Sequence, residues 1–214
     1  MEPLLHSFER AAFDAGGPLC SEEHCPDMLY RLLQCATKNE DLTFGRRLQC
    51  LIICYGLESS SNFANSLIRL FAVCRRSPEV HQVFCRLPEK NVYAWSALMI
   101  AYIKLGQCGK AISLHCQMQA ACVEPDGHTF VALLKACANI SAWTQGRLIH
   151  AQVTEMGLEA DLFIGNTLVD LYAKAGSMED SLQVFAGFQC RDITTWNAVI
   201  SGFFHCGMFT LWAS

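Results

Sequence analysis

Along residues 92–126 the apolar positions fall at helical spacing: Trp95, Leu98, Met99 and Tyr102 precede Leu105-Gly106-Gln107-Cys108-Gly109, and Ile112, Leu114 and Met118 follow it. Apolar residues three and four apart line one face of a helix, so the pattern predicts two amphipathic helices joined by a glycine-containing turn. Pro125-Asp126 is the predicted stop of the second helix, because proline cannot continue it and biases its predecessor away from helical geometry. Neither helix is apolar all round, and a pair this small cannot bury its own stripe.

The pattern then returns. A shift of 101 residues carries Gly45-Arg46 onto Gly146-Arg147, Gly56-Leu57-Glu58 onto Gly157-Leu158-Glu159, Asn65 onto Asn166, Gln82-Val83-Phe84 onto Gln183-Val184-Phe185, and Trp95 onto Trp196. The shift itself divides into units of 35, 35 and 31 residues, at 92–126, 127–161 and 162–192, each closing on Asp. Residues 26–60 align with 127–161 and residues 61–91 with 162–192, giving five complete repeats. Pro78 is predicted in the first helical turn of its unit, where its missing N–H costs nothing. Repeats of this size bury a core only by stacking, which predicts an all-α solenoid of antiparallel helix pairs in one elongated domain.

The ends depart from the register. Leu4, Leu5, Phe8 and Ala12 suit a short capping helix ended by Gly16-Gly17-Pro18, and residues 1–25 read as such a cap or as disorder, with an unrecognised targeting signal as the remaining alternative. A sixth unit opens at Ile193 with Thr195-Trp196-Asn197-Ala198-Val199-Ile200, but Met208 to Ser214 is too short and too apolar for its second helix. Residues 193–214 therefore read as a truncated repeat, with Trp196, Val199, Ile200, Phe203 and Phe204 left as an exposed apolar end.

Composition narrows the function. The chain is 52% hydrophobic, yet contains no apolar run long enough to span a bilayer, so no membrane role is expected. Its 13 cysteines form no Cys-x-x-Cys pair and read as reduced, small core residues, which leaves the sequon Asn139-Ile140-Ser141 without meaning. Glu2, Glu9, Asp14, Glu22 and Glu23 make the N-terminus too acidic for an organelle transit peptide. No phosphate loop, Gly-x-Ser-x-Gly elbow or His-Glu-x-x-His pair is present, and His24-Cys25, His115-Cys116 and His205-Cys206 are scattered pairs rather than metal sites. The chain is expected to be no enzyme and to need no cofactor. A formal charge of −4 argues mildly against nucleic-acid binding.

Particular residues carry a family resemblance. The 35, 35, 31 alternation, with Trp95-Ser96-Ala97-Leu98, Leu133-Leu134-Lys135-Ala136-Cys137-Ala138, Gly146-Arg147-Leu148-Ile149-His150 and the run from Gly165 to Ser177, resembles plant pentatricopeptide repeat proteins of the PLS class, over residues 26 to about 207. The resemblance implies a right-handed α-solenoid that binds single-stranded RNA one base per repeat, as an adaptor in organellar RNA editing or processing. It further implies a partner enzyme acting in trans and residence in a mitochondrion or chloroplast, the mitochondrion being preferred. Some relatives end in a deaminase-like zinc domain, whose His-x-Glu and Pro-Cys-x-x-Cys do not occur in this chain.

In that family the fifth and last residues of a repeat read one base. Carried over, the pairs are Asn65 with Asn91, Ser96 with Asp126, and Asn166 with Asp192, which resemble readers of a pyrimidine, guanine and uracil. Tyr30 with Ser60 and Val131 with Asp161 do not fit the code, so the implied target is 5′-N-Y-G-N-U-3′. Tyr93 and Phe163, second in their repeats, suit stacking on bases, whereas Asn62 and His128 occupy that place elsewhere. Asn and Ser near helix starts are also ordinary caps. Two other readings stand beside RNA: a scaffold that takes a peptide in its groove, and a fragment without a tight ligand. Lysine and arginine in the groove would favour RNA, while an apolar groove with carboxylate clamps would favour peptide.

Overall fold

The computed structural model describes residues 25–188 and 193–205. Among them every regular element is helical: α1 (Cys25–Lys38), α2 (Leu42–Cys54), α3 (Ser61–Val73), α4 (Ser77–Arg86), α5 (Val92–Lys104), α6 (Cys108–Ala120), α7 (Gly127–Asn139), α8 (Trp143–Glu155), α9 (Leu162–Lys174), α10 (Met178–Ala186) and α11 (Ile193–His205), with one 3-10 turn at Leu57–Ser59. The expectations placed on residues 1–24, on Asp192 and on residues 206–214 fall outside the described residues.

The odd-numbered helices stack in one row, α1 on α3, α3 on α5 and so on to α11, while each even-numbered helix packs on its own partner and on the next odd one. That arrangement is an α-solenoid. Each odd helix is therefore sandwiched, which is why α3 buries Phe63, Ala64, Leu67, Ile68, Leu70, Phe71 and Ala72, whereas α4 buries only Val80, Val83 and Phe84. In α5 the stripe is Ala94, Trp95, Leu98, Met99, Ala101 and Tyr102; in α6 it is Cys108, Ala111, Leu114, His115 and Met118, with Ile112 only half-buried.

The internal repeat is visible as repeated contacts. Phe84 meets Trp95 edge to face at 4.9 Å, and Phe185 meets Trp196 in the same way at 4.9 Å. Arg46 bridges to Glu79 at 3.0 Å, and Arg147 to Asp180 at 2.9 Å. Gly146 lets α8 approach α9 so closely that a Cβ there would sit 2.8 Å from the Leu171 side chain, and Gly45 stands in the same relation to Leu70.

The turns differ from expectation in an informative way. Two residues past the end of α1, α3, α5, α7 and α9 stand Glu40, Arg75, Gly106, Ser141 and Gly176, all left-handed with φ between 54° and 78°. After α3 the Arg75 N–H donates to the Ala72 carbonyl at 3.1 Å and the Arg76 N–H to the Phe71 carbonyl at 2.8 Å, the paired bonds of a Schellman stop. The same device ends α6: Cys122 is left-handed at φ 55°, and the Val123 N–H donates to the Met118 carbonyl at 3.1 Å. The helix thus stops at Ala120, ahead of Pro125-Asp126, which lie in the extended link and serve the following helix. Gly56 and Gly157 close α2 and α8 similarly, while the shorter α4 and α10 end on Leu87 and Gly187, neither of them left-handed. Pro78 sits in the first turn of α4 as expected.

The cysteines correct the sequence reading. Cys108 and Cys137 are buried, and burial pushes the Cys137 thiol up to about 11, but Cys50, Cys54, Cys85, Cys116 and Cys122 are exposed. These five side chains face solvent, so their apolar character did not decide their position.

Candidate nucleic-acid interface

An open groove of about 910 Å³ runs across α3, α5 and α7, lined only by first helices of pairs and the capping residues just before them. It gathers four of the sequence-predicted residues, Asn65, Asn91, Ser96 and Asp126, together with Tyr93 and with Asn62 and His128 from the corresponding places on neighbouring helices. Asn166 and Phe163 lie farther along the row, on α9.

The groove residues are held by helix starts. Asn91 caps α5, its side-chain oxygen accepting from the Ala94 N–H at 3.0 Å, and its amide donates to the Ser61 hydroxyl at 3.4 Å. Asp126 caps α7: its Oδ1 accepts from the Thr129 N–H at 2.8 Å and from the Thr129 hydroxyl at 2.7 Å. Ser96 is nearly buried at 6% exposure; its Oγ lies 2.9 Å from the accepting Val92 carbonyl oxygen and 2.7 Å from Thr129 Oγ1. Ser96 and Asp126 are therefore joined through one threonine that the sequence reading missed.

The asparagines are held differently. The Oδ1 atoms of Asn65 and Asn166 are buried and have no hydrogen-bond partner among the described residues. A buried amide oxygen without a donor costs about 1–3 kcal/mol, a cost that a ligand supplying a donor would remove. Tyr93 and Phe163 are 64% and 80% exposed, more than the other exposed rings among the described residues, Tyr30, Trp196 and Phe204. These two side chains stand free to take a flat partner.

Three cations complete the lining: Arg69 on α3, Lys104 on α5 and Lys135 on α7, facing a single carboxylate, Asp126. The sequence reading did not single them out. Each sits on the polar side of its helix, and only the stacking direction of the row decides which polar residues share a face.

A second cleft, of about 830 Å³, opens between α8, α9 and α10, where Arg147 bridges to Asp180 and His150 Nδ1 lies 2.7 Å from the Tyr172 hydroxyl. The Ser177 hydroxyl and the Arg147 guanidinium hold the Asp180 carboxyl below its ordinary value. Among the described residues no cluster of three His, Cys, Asp or Glu side chains is placed to hold a metal ion, and no helix is long and apolar enough to cross a membrane.

Comparison with known proteins adds ancestry. Residues 90–139 match the profile of the PPR repeat family, and residues 64–92, 166–193 and 194–210 match the PPR repeat. Among relatives from Arabidopsis thaliana, pentatricopeptide repeat-containing protein At3g03580 is 37% identical over 71% of this chain and 17% of its own length. At4g25270, named chloroplastic, is 32% identical over 86% of this chain and 35% of its own length, and At1g59720, named chloroplastic/mitochondrial, is 32% identical over 74% and 25%. The chain thus spans a third or less of most of these relatives. The crystal structure of the maize protein PPR10 superposes with a TM-score of 0.73 at 18% identity, over 86% of this chain and 27% of that one; PPR10 has also been solved with an 18-nt psaJ RNA element.

Proposed function

The chain belongs to the pentatricopeptide repeat family, and from that premise we propose that its groove binds single-stranded RNA, one base per repeat. The observation that carries this reading is the convergence of Asn65, Asn91, Ser96 and Asp126 with Tyr93 in one groove whose other charges are Arg69, Lys104 and Lys135. Cations along such a groove neutralise phosphates, aromatic rings stack on bases, and amides, hydroxyls and carboxylates address base edges. Its solved relative's RNA complex supports the same ligand class.

The finer reading follows the PLS arrangement of 35- and 31-residue units: the pairs Asn65–Asn91, Ser96–Asp126 and Asn166–Asp192 read pyrimidine, guanine and uracil in 5′-N-Y-G-N-U-3′. In the cell the chain acts as an adaptor for RNA editing or processing in a mitochondrion or chloroplast, delivering another protein's chemistry. The test is a titration of monodisperse protein against a short unstructured RNA carrying those bases and against RNAs changed at the guanine or the uracil. Matched RNA is expected to bind about tenfold or more tightly than either, since one base-edge contact pair discriminates by about 1–3 kcal/mol. Ser96→Ala should erase discrimination at the guanine alone and Asn166→Ala at the uracil alone; binding indifferent to both bases would sink the assignment.

A further inference from the structure

The contacts around Asp126 hold one more determinant of base choice. Thr129 is fully buried, and its hydroxyl stands 2.7 Å from Asp126 Oδ1 on one side and 2.7 Å from Ser96 Oγ on the other. A carboxylate only accepts, so the single hydroxyl hydrogen of Thr129 is committed to Asp126. The Ser96–Thr129 contact then needs the hydrogen of Ser96, which is shared between Thr129 Oγ1 and the Val92 carbonyl oxygen 2.9 Å away. Any other arrangement sets two hydroxyl lone pairs against each other at 2.7 Å or leaves the carboxylate without its hydroxyl donor.

Both hydrogens of the network therefore point into the protein. What Ser96 has left for the groove is lone pairs only, and Asp126, with Oδ1 occupied by two Thr129 donors, has Oδ2 left. Two acceptors side by side match a base edge that offers two adjacent donors. Guanine does so with N1–H and N2–H; adenine offers one donor beside an acceptor, cytosine one donor beside two acceptors, and uracil one donor between two acceptors.

We infer that Thr129 is a specificity-determining positioning residue, which fixes the hydrogen-bond polarity of the Ser96–Asp126 pair so that it accepts guanine and refuses the other bases. The inference rests on the proposed reading of RNA by this groove. The chain supplies its own contrast: at the Asn65–Asn91 pair the matching position is Ala94, which offers Asn91 only a backbone N–H, and Asn65, which lines the groove beside it, is an amide carrying both a donor and an acceptor.

Thr129→Val keeps the shape of the side chain and the backbone N–H to Asp126 but removes the hydroxyl; Thr129→Ser restores it, and Thr129→Ala is a second, smaller deletion. Each is titrated against RNAs with guanine or adenine at the third position and with uracil or cytosine at the fifth. The preference for guanine over adenine is expected to fall about tenfold in Thr129→Val and Thr129→Ala, to survive in Thr129→Ser, and to leave the uracil preference at the fifth position unchanged in all three. If both hydroxyl-free variants keep the wild-type guanine preference, the role of Thr129 is overturned while base reading stands. If the wild-type protein itself shows no guanine preference, this inference falls together with the reading beneath it. An equal loss at the third and fifth positions marks Thr129 as merely structural and also overturns the inference.

Discussion

His115 shows how far a single residue can depart from what its neighbours in sequence suggest. Adjacent to Cys116 it resembles half of a metal site, yet it is buried in the stripe of α6 at 2% exposure, with Nε2 unpartnered and burial holding its pKa below the ordinary 6.5. A group whose folded pKa is lowered contributes stability that is fully present above its unfolded value and is lost as pH falls from there through the lowered folded value. The urea midpoint should therefore drop between about pH 7.5 and about pH 5.5, and His115→Leu should raise the unfolding free energy by about 1 kcal/mol near neutrality and shrink the acid drop. A fall in stability of His115→Leu at both pH values would show that the imidazole packs better than leucine. At this scale the repeat register put Asn65 and Tyr93 at corresponding places, and the structure has both in one groove, but the sequence was silent where a residue acts through another. Thr129 looks like any first-turn threonine until Asp126 and Ser96 are seen on either side of it.

Between helices the same left-handed position is filled by whatever residue the chain offers. Gly106 and Gly176 adopt it without strain, but Arg75, which stands where Gly176 stands in the later copy, carries a Cβ into a region that costs non-glycine residues about 1–2 kcal/mol. Arg75→Gly should accordingly stabilise the protein by about 1 kcal/mol, less than the full strain because glycine also loses more freedom on folding. Gly176→Ala should destabilise it by a similar amount, both readable as shifts in thermal midpoint. An Arg75→Gly protein melting below the wild type would mean that the arginine makes a contact worth more than its strain. Helix number and order were plain in the sequence because 3.6-residue periodicity marks each stripe. The stops were not. Glu40, Arg75, Cys122 and Ser141 carry no glycine signal, and Pro125 drew attention five residues past the true end of α6. Cysteine misled in the same way, since its apolar character predicts burial that the outer faces of the even helices do not provide.

Over the whole chain the formal charge is −4, yet the groove has three cations against one carboxylate. Composition averages over faces that binding keeps apart. If those three side chains meet phosphates, the logarithm of affinity should fall with the logarithm of salt concentration at a slope of about −2, and Lys104→Glu with Lys135→Glu should flatten it while weakening matched and mismatched RNAs alike. A slope near zero would remove phosphates from the account. The stacking has a mechanical side as well. Among the described residues each helix packs on those one or two places along the chain, so the first pair and the last are joined only through the helices between them. Pulled from its ends, such a chain has no clasp that must break before the rest can yield. It would pay out pair by pair at modest force, and a strand of RNA lying along the groove would act as the thread that holds the beads at one spacing.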